Sequence, residues 1–276
     1  MTFIMIITVY PFLHILAVSF NDSLDTVRGG IGILPRKLTT ANYSQIFSGS
    51  SNLPHAFFMS VLRTVVGTVL GVFCSCMLAF TLSRQDYVFN KFVAAIFVFT
   101  MYISGGLIPE FMLIKNVGLI NSFWVYIIPG LISIFNVIII RSFMDALPEA
   151  LQESAMIDGA NDFVIFYKII LPLCLPVIAT VALFVAVGQW NAWFDTYLYA
   201  RQESSLSTLQ YELMKILDNA NTLNKVDPNS PTNKMNTNPE SIKMAITIVA
   251  TVPILIVYPF LQKYFVSGMT LGAVKS

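Results

Sequence analysis

Charge is scarce in this chain. Lys, Arg, Asp and Glu make up 11% of its 276 residues, where a soluble domain carries about 25%. A net charge of +1 gives a polyanion nothing to bind and argues against nucleic acid as a partner. Histidine and cysteine are nearly absent. His14 and His55 stand far apart in the sequence, a poor basis for a metal cluster or for a Ser/His/Asp or Cys/His nucleophile. Cys74, Cys76 and Cys174 all fall in apolar runs. Two positions apart on a helix, Cys74 and Cys76 face different ways, and all three read as small buried residues. No G-x-x-x-x-G-K-[ST] occurs, so the chain lacks the usual phosphate cradle for a nucleotide. Nothing here composes a catalytic site or requires a cofactor. The first twenty residues lack the basic start and small-residue cleavage site of a signal peptide and read as a retained span.

What is abundant is apolar. Hydrophobic residues make up 56% of the chain and the mean hydropathy is +0.72, more than one soluble core can hide. The chain reads as an all-α integral membrane protein. A span needs about 20 apolar residues, and six are read: Phe3 to Phe20, Ala56 to Leu82, Phe92 to Ile114, Phe123 to Phe143, Leu173 to Phe194 and Ile242 to Val266. No internal repeat is evident, so residues 1–276 form one helical-bundle domain with its core at about 56–266. Polar loops join the spans at Asn21 to Pro54 and Asp195 to Ser241. Pro253 and Pro259 fall inside the last span, which a bundle tolerates because neighbours satisfy the freed carbonyls. In the second span Ser60, Thr64, Thr68, Gly71, Ser75 and Ala79 share one face. Small residues let helices approach closely in lipid, either within the chain's own bundle or at a homodimer face.

The polar interval at 145–172 has helical spacing through Ala150, Leu151, Ser154, Ala155 and Ile157. Asp145 is a candidate cap and Pro148 suits the first turn. Asp158-Gly159 stops the helix, and Asn161 or Asp162 caps a second one that runs to Pro172. This helix–turn–helix leaves Met156, Ile157, Phe163 and Phe166 in a short loop outside the bilayer, where apolar side chains need a partner surface.

The same stretch carries a pattern. Glu153, Ser154 and Ala155 are followed by Gly159, then by Ile169, Leu171 and Pro172. It resembles the cytoplasmic coupling loop of ABC-importer permeases, E-A-A, three residues, Gly, nine residues, I-x-L-P, with Ser154 in place of the usual Ala. The resemblance implies the permease fold of type I importers. It also implies that this loop docks into a cleft of a separate ATPase. Glu153 would meet a basic or hydrogen-bonding group there, Ala155 and Met156 would form the close-packing surface, and Asp158 and Gly159 would shape the turn. The GGLIP run of the third span, the WN-x-W run of the fifth and the tail YPFLQKYFVSGMTLGAVKS resemble the carbohydrate-uptake branch, in particular permeases for oligosaccharides and polysaccharide fragments. The implied partners are a second permease, two ATPase subunits, an extracytoplasmic sugar-binding protein and the lipid bilayer. Lys275 in the tail is a weak candidate ATPase contact. Permeases of this type begin with a short polar segment, whereas this chain opens on Met1-Thr2-Phe3, so a late or truncated start is expected.

Two clusters are candidates for the substrate pathway. At the far end of the fifth span, Gln189, Asn191 and Asp195 offer hydroxyls donors and acceptors, and Trp190 and Trp193 offer sugars apolar faces. An aromatic belt at the membrane interface is the other reading. In the third span Gly105, Gly106 and Pro109 should break or kink the helix, with Asn136 in the fourth span beside them as a candidate. Broken helices flank transport pathways, and a packing kink is the alternative. Glu110 is placed at the outer rim. Arg63 is read as snorkelling outward and is not assigned to substrate. The resemblance places both termini and the 145–172 loop in the cytoplasm of a bacterial cell. The raw Lys and Arg count favours the opposite orientation, although long loops obey that rule weakly. A permease for a non-sugar solute and a non-transporting scaffold are the rival functions.

Overall fold

The computed structural model describes residues 2–49, 52–84, 86–223 and 239–273. In chain order the helices are α1 (Thr2–Ser19), α2 (Ser23–Thr26), α3 (Ala41–Gly49), α4 (Leu53–Ser83), α5 (Asn90–Tyr102), α6 (Leu107–Asn116), α7 (Ile134–Met144), α8 (Ala150–Ile157), α9 (Asp162–Ile165), α10 (Leu171–Leu173), α11 (Leu175–Asn191), α12 (Phe194–Tyr199), α13 (Leu209–Leu223) and α14 (Pro239–Ala273). A π-helical turn, Phe166–Ile170, joins α9 to α10. Residues 224–238 of the second polar loop, and Lys275, lie outside the described residues.

Among the described residues, two helices are long and apolar enough to cross a membrane, Leu53–Ser83 and Glu240–Pro259. Two more spans arise if each bent pair counts as one: Asn90–Tyr102 with Leu107–Asn116, bent by 117°, and Asp162–Leu173 with Leu175–Asn191, bent by 82°. The break expected at Gly105-Gly106 is present. Gly106 takes φ +87° and Pro109 falls in the first turn of α6, where its missing N–H costs nothing. The fourth span is not the continuous helix read from the sequence. A 3-10 turn at Phe123–Tyr126 and the Pro129-Gly130 step precede α7, which has 11 residues. Proline removes the N–H that would carry the helix through.

The chain packs as two compact units, Met1–Met59 with Ser207–Val257, and Ser60–Leu206 with Tyr258–Ser276. In the first, residues 21–42 are organised around buried polar groups. The Asn21 side chain accepts the Arg36 and Lys37 amides at 2.9 Å each and donates to Asp25 at 3.2 Å. Arg36 pairs with Asp25 at 3.0 Å, and the buried Asn42 amide holds the Ser19 and Asn21 carbonyls. The later polar loop is partly helical: α13 buries Leu209, Tyr211 and Leu213, an amphipathic stripe with leucines four apart.

In the second unit an apolar core lies beneath the 145–172 hairpin. Phe80 and Leu82 of α4 meet Ile140 and Met144 of α7, Ala155 of α8, and Ile165, Phe166 and Ile170. The small-residue face of α4 packs within this unit: Ser60, Ser75 and Ala79 are buried, and a side chain at Gly71 would come within 3.3 Å of the Leu131 carbonyl. Its opposite face leaves Val65, Val69, Phe73 and Met77 exposed, a surface suited to lipid or to another membrane subunit.

Candidate functional site

The hairpin turns as the sequence reading expected. Gly159 has φ +81°, a left-handed conformation that costs other residues energy. Asn161, the first of the two candidate caps, accepts the Val164 amide at 2.9 Å. Asp145 does not cap α8. It ends α7, held at 3.4 Å by Arg141 one turn back, while Glu149 occupies the position before α8 with no side-chain cap. Burial pushes the Asp145 carboxyl above its ordinary range, and the Arg141 charge opposes this.

Three of the four apolar side chains face out: Met156 is 45%, Ile157 87% and Phe163 63% exposed. Phe166 is buried in the core, 5.3 Å from the Phe80 ring. Ala155 also turns inward, 7% exposed, so it anchors α8 instead of forming the expected outer packing surface. Glu153, Ser154, Asp158 and Gly159 are exposed. Beside α8 lies a cavity of about 440 Å³, whose lining includes Asn90, Arg141, Asp145, Glu149, Glu153 and Met156. Oδ1 of Asn90 is buried with no hydrogen-bond partner among the described residues. The lining carboxylates Asp86, Asp145, Glu149 and Glu153 outnumber the guanidiniums of Arg84 and Arg141, which suits a basic, donating group.

At the other end of α4 the structure corrects the reading of Arg63. Instead of snorkelling, it is 2% exposed. Its Nη1 donates to Asp195 Oδ1 at 3.0 Å and to the Ala192 carbonyl at 3.3 Å, Nε donates to Gln189 at 2.9 Å, and Nη2 pairs closely with Asp195 Oδ2. The guanidinium stands 4.5 Å over the Tyr126 ring, and the Tyr126 hydroxyl donates to the Leu206 carbonyl at 2.7 Å. The cluster closes around the break between α11 and α12, where Ala192 is extended. Gly67 lets the Gln189 side chain lie against α4, since a Cβ there would be 2.9 Å away from it.

Of the expected pathway residues, Gln189 and Asp195 are therefore joined through Arg63. Trp193 is half-buried and stacks edge-on with Phe194 at 5.7 Å. Asn191 is exposed, while Trp190 and Asn136 are buried. Gly105 and Gly106 are exposed at the bend between α5 and α6. Arg63 went unassigned for want of a local signal: Asp195 lies 132 positions away. A charge inside an apolar helix was the available clue.

Residues 67–271 match the family described as the binding-protein-dependent transport system inner membrane component. The chain belongs to that family. It is 39% identical to the polygalacturonan/rhamnogalacturonan transport system permease protein YtcP of Bacillus subtilis (strain 168), over 98% of this chain and 93% of the relative. It is 37% identical to protein LplC of the same organism, over 98% and 90%. The crystal structure of a bacterial ABC transporter involved in the import of the acidic polysaccharide alginate superposes with a TM-score of 0.83 at 24% identity, over 96% of this chain and 93% of that one, a likeness that bears on fold. The chain is thus a membrane-embedded ABC transport permease with an importer-permease fold, and not an enzyme.

Proposed function

We propose that the chain is one permease subunit of a bacterial ABC importer for oligosaccharides. Its partners are a second, similar permease, two ATPase subunits that bind the ATP, and an extracytoplasmic sugar-binding protein. The sugar class rests on relatives: YtcP above, and the permease proteins AraQ and GanQ of Bacillus subtilis (strain 168), named for arabinooligosaccharides and galactooligosaccharides, at 28% and 30% identity. The observation that carries the coupling role is the apolar set Met156, Ile157 and Phe163, exposed on a hairpin whose base is buried. An ATPase cleft that covers these side chains and offers a basic group to Glu153 and the neighbouring cavity accounts for both. On this reading the hairpin and both termini are cytoplasmic.

The pathway is assigned to the opposite end of α4, at the break after α11. Of the expected pathway residues there, Asn191 is exposed and Trp193 half-buried, beside the exposed rings of Phe194 and Tyr197. Asp195 acts through Arg63, Gly105 and Gly106 supply a bend in the wall, and buried Trp190 and Asn136 support it. Trp193→Ala is expected to lower uptake of polygalacturonan fragments about tenfold; unchanged uptake removes it from the pathway. The family-level reading is tested by purifying the tagged protein from gently solubilised membranes. Recovery of a second permease and an ATPase, with the ATPase lost on Gly159→Asp, supports it. Recovery of the chain alone contradicts it and favours a scaffold.

A further inference from the structure

Arg84 sits where four chain segments meet. It directly follows α4, and its carbonyl accepts the Asn90 side-chain amide at 3.1 Å, which ties the start of α5 to the end of α4. Nη1 donates to Gln152 on α8 at 2.9 Å. Nη2 meets Asp162 on α9 at 3.0 Å, and Nε meets Asp86 at 3.2 Å. The guanidinium rests 5.8 Å from the Phe80 ring centroid, so its shelf is the core residue that packs on Phe166. One side chain, 13% exposed, thereby holds the end of α4 to both helices of the hairpin.

This is a poor design for stability alone. Asp86 and Asp162 are 72% and 70% exposed, and water screens such pairs until they contribute little. A guanidinium does have a rigid planar fork of donors, which fixes the angle between the groups it joins. The core contacts between α4 and the hairpin are apolar and non-directional, so they resist separation more than they resist sliding. The directional contacts from Arg84 reach α8 and α9 together. A partner covering Phe163, next to Asp162 in the chain, would remove screening water from that carboxylate and strengthen the link.

We propose that Arg84 is the positioning residue that makes the hairpin and α4 move as one body, delivering a displacement of the hairpin to α4. The proposal rests on the reading of the hairpin as the ATPase-docking element.

The test uses the complete complex in liposomes, with the binding protein and polygalacturonan fragments as the probe, and reads substrate taken up per ATP hydrolysed. Arg84→Gln removes the charge and the fork. It is expected to cut this ratio at least tenfold while complex is recovered in wild-type amount. Arg84→Lys, with one ammonium for two helices, is expected not to restore it. The double change Gln152→Ala/Asp162→Ala removes the two oxygen acceptors on the hairpin and leaves Arg84 with only its 3.9 Å contact to Met156 Sδ there, and is expected to reproduce the loss even if Arg84→Gln fails to fold. An unchanged ratio in the double variant overturns the proposal, whether or not the yield of complex falls. A wild-type complex that hydrolyses no extra ATP with the charged binding protein overturns the docking reading instead, whatever Arg84 does.

Discussion

Arg63 lies about a third of the way along α4 and Arg84 directly follows its last residue, and the two are held in opposite ways. Arg63 is buried, and its hydrogen-bond partners Gln189, Ala192 and Asp195 belong to one short stretch around the end of α11, with the Tyr126 ring stacked on the guanidinium. Arg84 lies at the edge of a cavity and divides its contacts among Asp86, Gln152 and Asp162, on three segments. Twenty-one positions separate them, about 31 Å of helix at 1.5 Å per residue, close to the ~30 Å apolar thickness of a bilayer. A buried pair is costly to break because the surviving charge has no water to turn to. A screened set contributes little to stability, while its directional contacts still fix the angle between the segments they join. The Arg63 cluster therefore stabilises the fold, and the Arg84 contacts orient the hairpin on α4.

The largest effect should come from breaking the buried end. Arg63→Met leaves Asp195 without its cation and is expected to cost about 3 kcal/mol, the low end of the range for buried pairs, because the Asp195 side chain is 24% exposed. Arg63→Met/Asp195→Leu should regain most of that loss, since no orphan charge remains. Thermal unfolding in detergent reads both. Gly67→Leu comes next. It drives the Gln189 side chain off α4 and should cost about 1–3 kcal/mol, as overpacking does, without removing any charge. At the hairpin, Gly159→Ala should cost about 1 kcal/mol, because an L side chain at φ +81° is strained. Arg84→Gln sharpens the contrast: it should change unfolding by less than about 1 kcal/mol although it uncouples transport. Equal destabilisation by Arg63→Met and Arg84→Gln would erase the distinction between the two ends.

The smallest effect lies in the other unit. The hydrogen bond from Asn21, together with the Arg36 and Lys37 charges, holds the Asp25 carboxyl below its ordinary 3.8 despite burial. A depressed carboxylate stabilises the folded loop fully above that value and loses its contribution as pH falls through the lowered one. Hydrogen exchange at the Arg36 and Lys37 amides, corrected for the intrinsic rate, should show protection fading on acidification below about pH 4. Asp25→Asn should abolish that dependence.

What was legible in the sequence was local. Gly159 and Asn161 announce the hairpin turn, and Gly105-Gly106 with Pro109 announce the bend, because backbone freedom and capping act within a few residues. The motif around Glu153 and Gly159 identified the family for the same reason. What was not legible depends on partners far along the chain. The inward turn of Ala155 is set by the core formed with α4 and α7. Arg63 looked like a snorkelling side chain until Asp195 was placed beside it. The Asn21-to-Pro54 segment read as a polar loop, because its buried amides satisfy one another across 15 or more positions. Arg84 carried no signal at all, since its meaning lies in joining Gln152 and Asp162.

The most direct measurement is the distance between spin labels at Thr81 near the end of α4 and Leu151 on the hairpin, both exposed and outside the docking set, in the assembled complex with and without trapped ATP. Cys74, Cys76 and Cys174 are first replaced by Ala. The expected result is one narrow distance distribution, the same in both nucleotide states, which broadens in Arg84→Gln. A wild-type distance that shifts between the two states would contradict the account, because the hairpin would then move without taking α4 with it.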